Sequence, residues 1–153
     1  PTPRQVKGTK YILDAVSRLQ REGLDFEFTL IEGMSNEDAK KAYEKADLLI
    51  DQLLAGWYGA VAVEFMALGK PVMAYIRDED LKFIPKEMRD EIPLINADPG
   101  TVYDVLKRYL TGGIGELIKR GQKSRKYVER WHDQNKVALM LKNDYETVLK
   151  GRM

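Results

Sequence analysis

The sequence predicts an α/β protein: a Rossmann-like, doubly wound parallel sheet with helices on both faces, whose first strand lies upstream of Pro1. Three observations predict it. Segments of helical periodicity alternate with short apolar runs of strand length, and the connections between them are short. The stretch Gly56 to Val72, GWYGAVAVEFMALGKPV, passes from a glycine-rich loop through a helix into a strand. No internal repeat, low-complexity segment or linker interrupts this order, so residues 1–153 read as a single domain.

The elements follow in turn. Pro1 to Val6 is polar and proline-bearing, so the chain opens in a loop leading to a helix. An alternating α/β domain ordinarily opens on a strand, and a strand upstream would leave a slot in the sheet unless another segment or chain supplies it. Thr9 to Glu22 carries Ile12, Val16 and Leu19 at helical spacing with Ala15 beside them and Gly23 past the end, an amphipathic helix starting at Thr9. Phe26, Phe28 and Leu30 alternate with Glu27 and Thr29 before Ile31, a strand that ends at Glu32 and Gly33. Ser35, with Asp38 three residues on, starts a helix whose inner side is Ala39, Ala42, Tyr43 and Ala46. Leu48, Leu49 and Ile50 form a buried strand closed by Asp51 and Gln52, at the carboxyl edge where an open α/β sheet holds its ligand.

The run Ala60 to Leu68 is the next helix, stopped by Gly69, and Pro71 opens a buried strand, Val72 to Ile76. Arg77 to Pro93 is a charged excursion that reads as a solvated face, with one short helix from Pro85 to Glu91. Leu94 to Asn96 is a short strand, and the DPGT turn at Asp98 to Thr101 starts the helix Val102 to Leu110. Gly112, Gly113 and Gly115 break the pattern before helices from Glu116 to Trp131 and from about Gln134 to Leu149, expected to pack across the domain.

Composition excludes several functions. Lysines and arginines number 25 against 24 aspartates and glutamates, which gives no basic surface for nucleic acid and no reason for a strongly acidic partner. With no cysteine there is no disulfide framework, thiolate zinc site or cysteine nucleophile, in keeping with a reducing compartment. His132 stands alone, so no histidine metal cluster can form. No apolar run approaches the roughly 20 residues that span a bilayer, and no secretory leader is expected; the expected location is cytoplasmic, or peripheral at the inner membrane face.

The chemistry gathers around the glycine-rich stretch. Gly56, Trp57, Tyr58 and Gly59 form a flexible loop, and the helix that follows presents its first amides to an anion, for which phosphate is the expected ligand. Glu64 is the one carboxylate on that apolar helix; it either faces solvent or accepts hydrogen bonds from the vicinal hydroxyls of a ribose. Lys7 and Gly8 precede the first helix, where an ammonium can reach a diphosphate and glycine lets the backbone approach, or where the lysine is simply solvated. His132 has the pKa of a base, but a structural hydrogen bond is the expected role, far along the sequence from the phosphate loops. Tyr11, Tyr43, Tyr103 and Tyr127 read as packing or rim residues.

Lys7-Gly8-Thr9, the strand ending at Gly33, ADLLID from Ala46 to Asp51, YGAVAVEFMALGKPV from Tyr58 to Val72 and YVERWHD from Tyr127 to Asp133 occur in an order covering almost the whole chain. In this the sequence resembles the C-terminal, nucleotide-sugar-binding domain of GT-B glycosyltransferases, in particular the retaining, group 1 enzymes of family four. The resemblance implies that Lys7 contacts the donor diphosphate with Gly8 giving room, and that Gly59 and the amides at Ala60 and Val61 cradle the same phosphates. It implies that Glu64, matching the second glutamate of an E-x7-E motif, binds the ribose, and that Gly33 lies near the base. Asp51, Gln52 and Tyr58 fall near the base or sugar. The donor is then a nucleoside-diphosphate sugar, no cofactor or metal is needed, and an N-terminal domain supplies the acceptor, a glycan, lipid or small molecule.

The departures are specific. The first glutamate of E-x7-E falls at Gly56, a Gly-Gly loop of the family is replaced by Arg77-Asp78-Glu79, and Arg4 does not take the place of the family's upstream basic residue. Lys7, the amides after Gly59 and Glu64 are expected to share one hollow. There they would stabilise the departing diphosphate, so residues 1–153 would bind donor without turnover. Two rivals remain at this point: a GT-B sugar epimerase half, and a non-catalytic interaction domain that keeps the fold, favoured by Gly56.

Overall fold

Three parallel strands in the order β1-β2-β3 lie at the centre: β1 (Leu49–Ile50), β2 (Val72–Ala74) and β3 (Ile95–Asn96). Leu49 pairs with Val72, and Met73 with Ile95. The computed structural model describes residues 4–151. Around the strands, in chain order, run α1 (Arg4–Lys7), α2 (Thr9–Arg21), α3 (Asn36–Lys45), α4 (Ala60–Ala67), α5 (Lys86–Asp90), α6 (Val102–Leu110), α7 (Ile114–Trp131) and α8 (Gln134–Lys150). A 3-10 turn over Asp78–Phe83, not foreseen in the sequence, begins the charged excursion, which is exposed along most of its length.

Strand periodicity divides the apolar side chains between two clusters. Met73 and Ile95 join Ile12, Ala15, Val16 and Leu19 of α2 and Val102, Leu106 and Tyr109 of α6. Val72, Ala74 and Leu94 instead meet Tyr43 of α3, Ala62, Phe65 and Met66 of α4, and Tyr127 of α7. Phe65 and Met66 are fully buried, so each removes roughly 2 to 3 kcal/mol worth of apolar surface from water.

Two expected strands differ from the sequence reading. Residues 24–31 take no regular structure and form no ladder, and no backbone hydrogen bond joins residues 25–31 to another of the described residues. Phe26 and Phe28 nevertheless pack against the α2 and α6 cluster and Ile31 against the other, as the period-two pattern predicts, whereas Leu30 of the same alternation is exposed. The strand foreseen over Val72 to Ile76 ends at Ala74 because a side chain takes over the ladder: Ile76 N–H donates to Asn96 Oδ1 at 2.9 Å and Asn96 Nδ2 donates back to Ile76 O at 3.3 Å.

Helix ends follow their local chemistry. Ser35 Oγ accepts from Asp38 N–H, capping α3 as the spacing predicts. Gly8 rather than Thr9 precedes α2, in the left-handed region at φ 77°. Lys70 reaches back to the far end of α3 and donates to the carbonyls of Tyr43, Glu44 and Ala46 at 3.0, 2.6 and 2.6 Å, occupying acceptors that a helix terminus leaves open. Helix α7 lies across α4, and Arg125 donates to Ala67 O at the close of α4. The expected packing of α8 does not occur: all of its residues are exposed, including Val137, Leu141, Tyr145, Val148 and Leu149. Among the described residues no helix is long and apolar enough to cross a membrane.

Candidate functional site

The carboxyl ends of β1 and β2, the start of α2 and the start of α4 converge. Asp51, directly after β1, is buried, and its two oxygens face different elements: Oδ1 accepts from Lys7 Nζ at 3.4 Å and Oδ2 from Gly59 N–H at 2.8 Å. A β-carbon at Gly59 would lie 3.2 Å from Asp51 Oδ2, so glycine lets the carboxylate approach the helix start closely. The carbonyl of Lys7 also accepts from Leu53 N–H at 2.8 Å, which ties α1 to the strand end.

This arrangement changes two expectations. The Gly59 amide, expected on a phosphate, donates to Asp51, and the Lys7 ammonium, expected on a diphosphate or solvated, meets the same carboxylate. The amides of Ala60 and Val61 have no partner among the described residues, because a helix start leaves its first donors open. The loop before them is tied to its neighbours at several points. Gln52 Nε2 donates to Trp57 O at 2.6 Å, Arg77 N–H donates to Gly56 O at 2.9 Å, and Trp57 stacks on Tyr58. Gly56 has φ 79° and sits against the Arg77 side chain, so the position that lacks the motif's glutamate faces a guanidinium.

Tyr58 points inward. Its hydroxyl bridges Tyr127 Oη and His132 Nε2, both at 2.9 Å, so His132, remote in sequence, stands beside the glycine-rich loop in space. Burial, with the Tyr127 hydroxyl beside it, raises the Tyr58 phenol above its ordinary range, and burial lowers the His132 imidazole below 6.5. A folded-state value below the unfolded one means that the unfolded chain takes up the proton first. The stability held by neutral His132 is therefore complete above about pH 6.5 and falls as pH drops below it. Thermal melts from pH 7.5 to 5 are expected to show a decline that His132→Gln lessens; equal slopes in the two proteins would contradict this.

Glu64 lies one turn into α4, below Ala60 on the same side, and it is exposed, which excludes a buried, unpaired carboxylate. It lines an open groove of about 630 Å³ with Ala60, Val63, His132, Gln134, Val137, Ala138 and Leu141. A second concavity of about 520 Å³, at the ends of β2 and β3, is lined by Arg77, Asp78, Glu79, Asn96 and Asp98 among others. Lys7 and Asp51 line neither. The structure thus joins Lys7, Asp51 and Gly59 by direct contact and joins Ala60 and Glu64 in one groove, and neither of these two concavities is lined by both sets. Gly33 is exposed, with φ 66° and open space around it. The structural hydrogen bond expected of His132 is made to Tyr58, 74 residues away, a partner that local periodicity does not reveal.

No protein-family model matches the chain, and no curated protein matches it. Its fold is similar to part of a sucrose-phosphate synthase from Thermosynechococcus elongatus, with a TM-score of 0.59 and 20% sequence identity. The chain has a glycosyltransferase-like fold. The likeness covers 89% of this chain and 34% of that protein, so the chain spans about a third of the length of the enzyme it matches. With a parallel sheet between helices, the match agrees with a Rossmann-like GT-B half.

Proposed function

We propose that residues 1–153 form the donor-binding half of a group 1, family four-like glycosyltransferase, and that the half binds a nucleoside-diphosphate sugar. The observation that carries the reading is the convergence of an ammonium, Lys7, and the unpartnered amides of Ala60 and Val61 at the carboxyl end of a parallel sheet. Lys7 retains donors beyond the one it gives Asp51, and Asp51 holds it toward the start of α4. The diphosphate meets Lys7 and these two amides, and Glu64, one turn along α4, accepts from the ribose hydroxyls. Negative charge that grows on the leaving diphosphate is neutralised by these groups without a metal. The acceptor, and the opposite wall that would bring the Lys7 group and the Glu64 groove into one cleft, belong to a further domain. Such a protein works in the cytoplasm or at the inner face of a membrane.

Calorimetry with uridine, guanosine and adenosine diphosphates tests the assignment. One of the three is expected to bind, and Lys7→Ala or Glu64→Ala to weaken it by roughly 1.5 to 3 kcal/mol, about 10- to 100-fold. Failure of all three on a folded sample, or affinities that neither substitution lowers, would remove the donor site.

A further inference from the structure

We infer that His132 is a ligand contact of the donor site: two tyrosines hold its imidazole as the Nδ1–H tautomer, and Nδ1 donates to a phosphate oxygen of the bound nucleotide. This rests on the donor-binding reading of Ala60, Val61 and Glu64, to which it adds a residue that the sequence marked only for a structural bond. The ring stands where two helices meet. His132 N–H donates to Val128 O at 2.8 Å at the close of α7, and Asp133 accepts from the amides of Asn135 and Lys136 at the start of α8. The backbone on both sides of the imidazole is therefore fixed. The Tyr58 ring meets the imidazole edge-on, with centroids 5.7 Å apart and planes at 82°, which holds it in one orientation.

Counting protons assigns the tautomer. Tyr58 Oη has one proton to give and two neighbours, Tyr127 Oη and His132 Nε2, each at 2.9 Å. Tyr127 is buried, and its hydroxyl has Tyr58 as its one partner among the described residues. A buried hydroxyl proton without an acceptor is costly, so Tyr127 donates to Tyr58. Tyr58 in turn donates to Nε2, which must then carry a lone pair, and in a neutral imidazole that places the proton on Nδ1. The reverse chain, with Nε2–H donating to Tyr58 and Tyr58 to Tyr127, would leave the Tyr127 proton without an acceptor. Burial favours the neutral ring as well.

The remaining nitrogen is open to a ligand. Nδ1 makes no hydrogen bond to the described residues. Among those residues Ser124 Oγ is the one buried side-chain nitrogen or oxygen without a partner, so Nδ1 is not sealed in the interior. The concavity that His132 lines is the groove of Ala60 and Glu64, which leaves that groove as the space Nδ1 meets. Ionised Glu64 can only accept, which suits the hydroxyls of a ribose. Phosphate oxygens only accept, so they need donors, and the groove offers two kinds: the open amide at the start of α4 and the imidazole N–H.

Two substitutions separate the ring nitrogens, because a glutamine amide reaches the place of Nε2 and an asparagine amide that of Nδ1. In calorimetry at about pH 7.5, where the ring is neutral, His132→Gln is expected to keep the Tyr58 bond and the melting temperature but to bind the preferred nucleoside diphosphate about 10-fold more weakly. His132→Asn keeps a donor for the ligand and loses the Tyr58 bond, so it is expected to melt lower yet bind within about 3-fold of the unsubstituted protein. Nitrogen-15 NMR of the unsubstituted protein, whose one histidine gives one pair of ring signals, is expected to show the Nδ1–H tautomer and a shift of the Nδ1 signal on adding nucleotide. An Nε2–H tautomer, an Nδ1 signal unmoved at saturation, or undiminished affinity in His132→Gln would each overturn the contact and leave the donor site standing. Failure of all three diphosphates to bind the folded, unsubstituted protein would instead remove the donor-binding reading, and this contact with it.

Discussion

Gly121→Ala is expected to destabilise the protein by about 3 kcal/mol, lowering the melting temperature by about 10 °C. Gly121 lies where α7 crosses the turn that ends α4, and a β-carbon there would stand 2.3 Å from Gly69 O and 3.2 Å from Gly69 C. Both are backbone atoms of a turn fixed by the left-handed φ of 74° at Gly69 and by its N–H bond to Met66 O. No side chain can swing aside to make room, so α7 must lift from α4 and loosen the packing of Tyr127, which is 2% exposed. Urea unfolding of the two proteins measures the loss, and a change below about 1 kcal/mol would mean that the helices separate at little cost.

Asp51→Ala is the second large effect, at about 2 to 3 kcal/mol. The ion pair itself contributes little of this, because Lys7 is 31% exposed and screened by solvent. The cost comes from the Gly59 N–H, which loses its acceptor at a buried strand end, and from the space the carboxylate leaves. Asp51→Asn separates the terms: its side-chain oxygen can still accept from Gly59, so about 1 kcal/mol is expected. Equal losses for the two variants would assign the stabilisation to charge instead of to the Gly59 bond.

Much of the architecture was legible because its signals are local. Ser35 with Asp38, Gly69 before Pro71 and the Asp98 turn each fix a boundary through bonds made within three residues, and α3, α4 and α6 begin or end where these residues put them. The alternation put Phe26 and Phe28 on one side, and both meet the α2 cluster, but it put Leu30 there too, which is exposed. It could not give a ladder, because pairing depends on a neighbour that periodicity does not describe. At the candidate site, the sequence singled out Lys7, Asp51 and Gly59 separately, while their union through one carboxylate depends on contacts spanning 44 and 8 residues. The inward turn of Tyr58 escaped for the same reason: a tyrosine beside a glycine-rich loop has the same sequence signal whether it meets ligand or a distant histidine. Helix α8 shows the opposite limit, since its apolar spacing is genuine and its apolar residues remain in solvent.

The grip of Lys70 on three carbonyls at the close of α3 also bears on the chemical reactivity of this amine. Acylating reagents must reach the nitrogen itself, and one whose donors all meet carbonyl acceptors is engaged while the last turn of α3 stays wound. Lys70 thereby becomes a built-in reporter, silent in the closed chain and modified at the rate at which that turn opens.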